Sequence, residues 1–261
     1  MWNIANQCLS SRLLLGTAQY PTLDILKSAI VNSGANIITV SLRRQARDTK
    51  NNRFWDDIKQ LACHFLPNTA GCRYADEAIT TAELAREIFQ TNWIKLEVIG
   101  DDYNLQPDPF ELAKAANELV KRGFEVFPYC TDDLVLCQRL IDYGCRILMP
   151  WASPIGSGKG IINSYALAVL RQRLPNITLI VDAGIGRPSH AVQAMELGYD
   201  GVLLNTAVSM ATDPVRMAGA FRDAVLAGRA AYEAGMMLER NISQPSTALL
   251  DTLFWHQEVQ K

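Results

Sequence analysis

The chain has 261 residues, 49% of them apolar and 20% charged, which is ample for a large core and matches a single α/β barrel better than a small module. Its formal net charge is -2, with both signs spread along the chain, so no basic stripe points to nucleic acid and no polybasic cluster to an anionic membrane.

Met1-Trp2-Asn3-Ile4-Ala5-Asn6 lacks the charged start and apolar core of a signal peptide, and no apolar run reaches the length of a membrane span. A cytoplasmic protein is expected. Leu13-Leu14-Leu15-Gly16 reads as the first strand. Thr22 then opens a helix with Leu23, Leu26, Ile30 and Val31 on one face, ended by Gly34. Ile37-Ile38-Thr39-Val40 is β-branched and reads as the second strand. Residues 43–53 are too charged for a core and read as a long loop, and 54–62 as a short helix. Phe65-Leu66-Pro67-Asn68-Thr69 reads as the third strand, and Thr80 with Glu83 forms a capping-box pattern for the next helix.

Trp93-Ile94-Lys95-Leu96-Glu97-Val98 is the fourth strand. Asp108 as cap and Pro109 at the first position start a helix that Gly123 stops. Strands are expected at 124–128, 146–149, 179–182 and 201–205. Asp213-Pro214 caps the last strong helix, expected to stop near Gly228. Eight strands alternating with helices imply parallel pairing and right-handed crossovers, and in this length a closed single-domain (β/α)8 TIM barrel. No Gly-rich dinucleotide fingerprint follows the first strand, which weakens an open doubly wound sheet. Residues from about 239 form a tail carrying Leu249-Leu250, Leu253 and Phe254-Trp255.

The chemistry is expected where such barrels place it, at the C-terminal ends of the strands. Side chains alternate along a strand, so Lys95 and Glu97 share a face opposite Ile94, Leu96 and Val98. Two ionisable groups on one buried face are costly unless paired or used. Two readings stand: an ion pair closing the core, or a Schiff-base lysine with a carboxylate beside it. Apolar neighbours ease proton loss from a lysine and a carboxylate opposes it. Three glycine-bearing loops resemble phosphate cradles: Pro154-Ile155-Gly156-Ser157-Gly158, Ala183-Gly184-Ile185-Gly186 and Asn205-Thr206-Ala207. The alternative is that these glycines only make tight turns. Cys8, Cys63, Cys72, Cys130, Cys137 and Cys145 show no C-x-x-C pair, and three scattered histidines suggest no metal site.

Taken in order, several segments resemble those of the bacterial thiazole synthases of the thiamine pathway. They are Thr39-Val40-Ser41-Leu42-Arg43-Arg44, Asn68-Thr69-Ala70-Gly71, Lys95-Leu96-Glu97-Val98, Pro154-Ile155-Gly156-Ser157-Gly158, Val181-Asp182-Ala183-Gly184-Ile185-Gly186 and Leu203-Leu204-Asn205-Thr206-Ala207. Trp151-Ala152-Ser153 and His190 depart from the family pattern. The resemblance implies that Lys95 forms an imine with the ketone of 1-deoxy-D-xylulose 5-phosphate, and that Glu97 and Asp182 move protons afterwards. It further implies that backbone at Gly156, Ala183, Gly184, Asn205 and Thr206 holds the phosphate. Sulfur would arrive on the thiocarboxylate of a small ubiquitin-like carrier protein, and dehydroglycine would supply the remaining carbon and nitrogen. A homo-oligomer, expected to be a tetramer, and pairing with the radical tyrosine lyase that makes dehydroglycine belong to the same picture. No metal or organic cofactor is implied. Two other readings use the same residues: a Schiff-base aldolase on a sugar phosphate, and a silent barrel that binds a phosphorylated ligand.

Overall fold

The computed structural model describes residues 1–42, 58–244 and 246. Eight parallel strands close into a barrel: β3 (Leu13–Gly16), β4 (Ile37–Ser41), β5 (His64–Asn68), β6 (Trp93–Leu96), β7 (Glu125–Cys130), β8 (Ile147–Pro150), β9 (Thr178–Asp182) and β10 (Gly201–Leu204), with β10 pairing back to β3. This is the (β/α)8 TIM barrel that the alternation implied. The helices with both ends among the described residues are α1 (Leu23–Ser33), α2 (Ala75–Phe89), α3 (Pro109–Lys121), α4 (Leu134–Asp142), α5 (Ser164–Arg173), α6 (Pro188–Glu196), the single turn α7 (Thr206–Ser209) and α8 (Pro214–Ala234). The charged segment 43–53, residues 54–57 of the helix expected at 54–62, and Leu249, Leu250, Leu253, Phe254 and Trp255 of the tail lie outside the described residues.

Alternation along each strand separates two cores. Leu13, Leu15, Ile38, Val40, Ile94, Leu96, Val126, Leu148 and Val181 face outward and pack under the helices. Leu14, Ile37, Leu66, Phe127, Ile147, Ile180 and Leu203 face inward and fill the lower barrel. Burying each such side chain contributes about 1.5–3 kcal/mol.

The amino terminus holds an element the sequence reading missed. Strands β1 (Trp2–Ile4) and β2 (Gln7–Leu9) form an antiparallel hairpin. Its two-residue turn, Ala5-Asn6, has φ of 46° and 64°, the left-handed pair that suits a tight hairpin. Trp2, Ile4 and Leu9 pack into the lower barrel interior and close it from below. The alternation of Trp2 and Ile4 around an asparagine turn was the available signal.

Local signals placed several helix starts well. Thr22 accepts from the Ile25 N–H, and Asp108 from the N–H groups of Phe110 and Glu111. Two expectations need correction. Thr80 does not cap α2; it sits inside the helix, where its hydroxyl donates to the Asp76 carbonyl. Helix α2 starts five residues earlier at Ala75, whose N–H donates to Glu111 Oε2 at 2.6 Å, so a side chain from the next helix satisfies that end. Gly228 does not stop α8, which runs to Ala234. Gly228 is where α8 meets α6: a Cβ there would lie 2.6 Å from the Val192 carbonyl oxygen. The absence of a side chain serves helix packing there, not termination.

Candidate functional site

The upper barrel interior, at the C-terminal strand ends, opens into a cavity of about 540 Å³. On its floor lies Lys95, 6% exposed, carried inward by β6. Its Nζ stands 2.5 Å from Asp182 Oδ2 and 3.4 Å from Glu97 Oε1. Glu97 is 6% exposed and Asp182 2%. Asp182 comes from the end of β9, across the barrel from β6, so closure of the sheet makes this pairing. Burial pushes the Lys95 pKa down, but the charges of Asp182 and Glu97 and their hydrogen bonds outweigh it, and the group is held above its ordinary value. Burial raises the Asp182 carboxyl, against the opposing pull of Lys95. At rest, therefore, Lys95 is an ammonium and its nearest proton acceptor is Asp182.

Regular strand structure ends at Leu96, yet Glu97 keeps its inward direction. Thr69, fully buried after β5, explains this. Its hydroxyl donates to the Glu97 carbonyl at 2.7 Å and accepts from the Glu97 N–H at 2.8 Å, while its own N–H donates to the Lys95 carbonyl. One side chain thus replaces the next step of the β5–β6 ladder.

The loop after β9 shapes the opposite side. Ala183 and Gly184 both lie in the left-handed region, with φ of 68° and 74°. For Ala183 this is a strained conformation, and strain of this kind is held only where surrounding structure enforces it. The carbonyls of Asp182 and Ala183 accept from the Ala152 N–H, and that of Gly184 from the Gly160 N–H. In a planar trans peptide the next N–H points the opposite way, so the Gly184 and Ile185 N–H groups turn away from that loop, and both residues line the cavity. A Cβ at Gly184 would lie 1.9 Å from Ser153 Oγ, so only glycine lets the two loops meet there. Beside them, the first N–H groups of α7 at Thr206 and Ala207 have no acceptor within the helix.

Lys95, Glu97, Asp182, Gly156, Ala183, Gly184, Asn205 and Thr206 all line this one cavity. They are not equivalent in space: a Cβ at Gly156 would meet nothing within 4 Å, whereas one at Gly184 would collide. The cavity also takes in Gly16, Thr17, Gln19, Thr39, Ser41 and Leu105, which the sequence reading did not single out as site residues. Gly16 is there for space: a Cβ would lie 2.5 Å from that of Asn205. Among the described residues, no group of three or more His, Cys, Asp or Glu could hold a metal ion. No helix among them is long and apolar enough to cross a membrane.

Comparison with known proteins gives this geometry a family. Residues 3–248 match the family model described as "Thiazole biosynthesis protein ThiG". The chain is 60% identical over 254 residues to the thiazole synthase of Coxiella burnetii strain RSA 331, covering 97% of this chain and 98% of that one. It is 60% identical over 257 residues to the thiazole synthase of Bradyrhizobium sp. strain ORS 278, covering 98% and 99%. Among solved structures it resembles the Amycolatopsis orientalis BexX/CysO complex, with a TM-score of 0.82 at 32% identity over 92% of this chain and 98% of that one. Likeness of that extent reaches every strand of the barrel and both loops that face Lys95, and it makes the chain a member of the thiazole biosynthesis protein ThiG family.

Proposed function

We propose that the chain is a thiazole synthase of thiamine biosynthesis that works through an imine on Lys95, with 1-deoxy-D-xylulose 5-phosphate as the ketone. The observation that carries this reading is the position of the Lys95 amine, between two buried carboxylates on the floor of a cavity. Only a neutral amine attacks a carbonyl, and Asp182 at 2.5 Å is placed to take the proton. The amine adds to the ketone, a carbinolamine forms, and loss of water gives the imine. Glu97 and Asp182 then move protons between carbon and nitrogen in the tautomerisations that follow. The N–H groups of Gly184, Ile185 and the first turn of α7 suit the phosphate, with Gly156 on the facing loop.

Dehydroglycine supplies the remaining carbon and nitrogen, and sulfur arrives as the thiocarboxylate of a small ubiquitin-like carrier. Two things support a protein partner: the BexX relative was solved as a complex with CysO, and the cavity opens at the strand ends where a flexible tail enters without unfolding the barrel. Self-association into a homo-oligomer belongs to the same reading. It is preferred over a sugar-phosphate aldolase because relatives at 60% identity over nearly the full length are thiazole synthases.

The sulfur route tests the reading. Label placed on the carrier thiocarboxylate should appear in the thiazole phosphate. No labelled thiazole at all, with the ketose phosphate consumed in the absence of the carrier, would return the aldolase-like reading to first place.

A further inference from the structure

We propose that Ser41, Asn68 and Asn205 form an uncharged wall that reads the two hydroxyl groups of the ketose phosphate, and so set which ketones the site accepts. The proposal deepens the reading above and rests on a ketose phosphate as substrate. Ser41, Asn68 and Lys95 stand in register on three adjacent strands, β4, β5 and β6. Thr39 and Leu66, two residues earlier, line the cavity and the lower interior respectively, so the alternation turns Ser41 and Asn68 inward as well. Asn205 lies at the end of β10 on the far side of β3 and folds over Gly16.

These groups have hydrogen-bonding capacity that the protein itself leaves unused. Ser41 Oγ and Asn205 Oδ1 are buried and take no hydrogen-bond partner. Asn68 Oδ1 accepts weakly from the Ala70 N–H at 3.4 Å, which leaves its amide NH2 to donate. Buried polar atoms without partners are uncommon and each calls for an explanation. Here they line a cavity, so a ligand explains them.

Charge and position say which part of the ligand. An anion would want cations or bare N–H groups, which lie at the β9 and β10 loops. A wall of one hydroxyl, one amide donor and one amide acceptor suits neutral hydroxyls, which both donate and accept. Between the phosphate loops and Lys95 the substrate has two ways round the barrel. Strands β7 and β8 contribute no residue to the cavity lining. Tyr129 on β7 is fully buried and spends its hydroxyl on the Leu105 carbonyl. The hydroxyl-bearing carbons between ketone and phosphate therefore face the β10–β3–β4–β5 side.

The test compares 1-deoxy-D-xylulose 5-phosphate with 5-phosphooxypentan-2-one, which keeps ketone and phosphate but lacks both hydroxyls. Titration calorimetry on the full chain should give a preference for the diol of roughly 10²-fold or more, the kind of discrimination a site built for hydroxyls achieves. Ser41→Ala and Asn68→Leu should each cut that preference about tenfold, the loss of one hydrogen bond, while leaving the dihydroxy-free ketone bound as before. Ser41→Ala should not lower the melting temperature, because an unpartnered hydroxyl does not hold the fold together. Equal affinity for the two ketones, or equal weakening of both by the substitutions, would overturn the proposal. Borohydride trapping keeps the underlying reading separate: both ketones should label Lys95. If neither does, the imine falls, while the affinity ratio still decides the wall.

Discussion

The lower and upper halves of the barrel interior are made by the same strands and differ by two or four residues along each. On β6 the step runs from Trp93 to Lys95, on β9 from Ile180 to Asp182, on β5 from Leu66 to Asn68, and on β4 from Ile37 through Thr39 to Ser41. Below, a hairpin plug and a ring of apolar side chains are buried against one another. Above, three charged groups and several uncharged polar ones surround a cavity. The strand fixes direction and depth, and side-chain identity then decides packing or chemistry. The upper half can hold a buried charge triad because the lower half and the outer core hold the fold.

The sharpest way to break this division is Lys95→Met. The fold should persist, and turnover should fall below detection, because no other described lysine lines the cavity. Asp182→Asn and Glu97→Gln come next. Each should slow turnover by about 10²–10⁴-fold, the range of a positioned proton-transfer group, with phosphate affinity largely kept. Near-normal turnover in both would make the carboxylates purely structural. Leu66→Ala attacks the other half. It should destabilise the protein by about 2–5 kcal/mol in denaturant melts, yet the folded fraction should still trap ketone at Lys95.

A smaller effect follows from pH. The carboxylate partners hold Lys95 above its ordinary pKa, and because Asp182 takes the proton inside the triad, the reactive pair carries as many protons as the resting one, so imine formation should stay flat across the neutral range. The same shift does make stability depend on pH. The pairing supports the fold at pH values below the ordinary lysine range and is lost as pH rises through the folded value. A rate that climbs about tenfold per pH unit across the neutral range would mean that the Lys95 proton leaves to solvent and not to Asp182. The smallest expected change is Thr69→Val, which removes both bonds to the Glu97 backbone. It should lower turnover by about tenfold and leave borohydride trapping nearly intact, since Lys95 itself is held by β6.

What was legible in the sequence was local. Asp108-Pro109, Asp213-Pro214 and Thr22 carry their cap chemistry within four residues, and each capped a helix. The shared face of Lys95 and Glu97 followed from a period of two. The alternation of strands and helices was enough to imply the closed barrel. What was not legible depends on contacts between distant segments. Asp182 reaches Lys95 only because the sheet closes. Glu111 satisfies the start of α2 from another helix, which is why Thr80 looked like the cap. Gly228 reads as a stop in one dimension and is a packing contact in three. The conformation of Gly184 also corrects a tempting experiment. A side chain there strikes Ser153 before it meets any phosphate, so loss of binding in such a variant would report a broken loop.

Everything proposed above turns on Lys95 as the nucleophile of the upper barrel. What tests this without intermediaries is the mass of the borohydride-reduced adduct with 1-deoxy-D-xylulose 5-phosphate, mapped by peptide digestion. One adduct should appear on the peptide containing Lys95 and none in Lys95→Met. An adduct that persists in that variant, or that maps to another lysine, would contradict it.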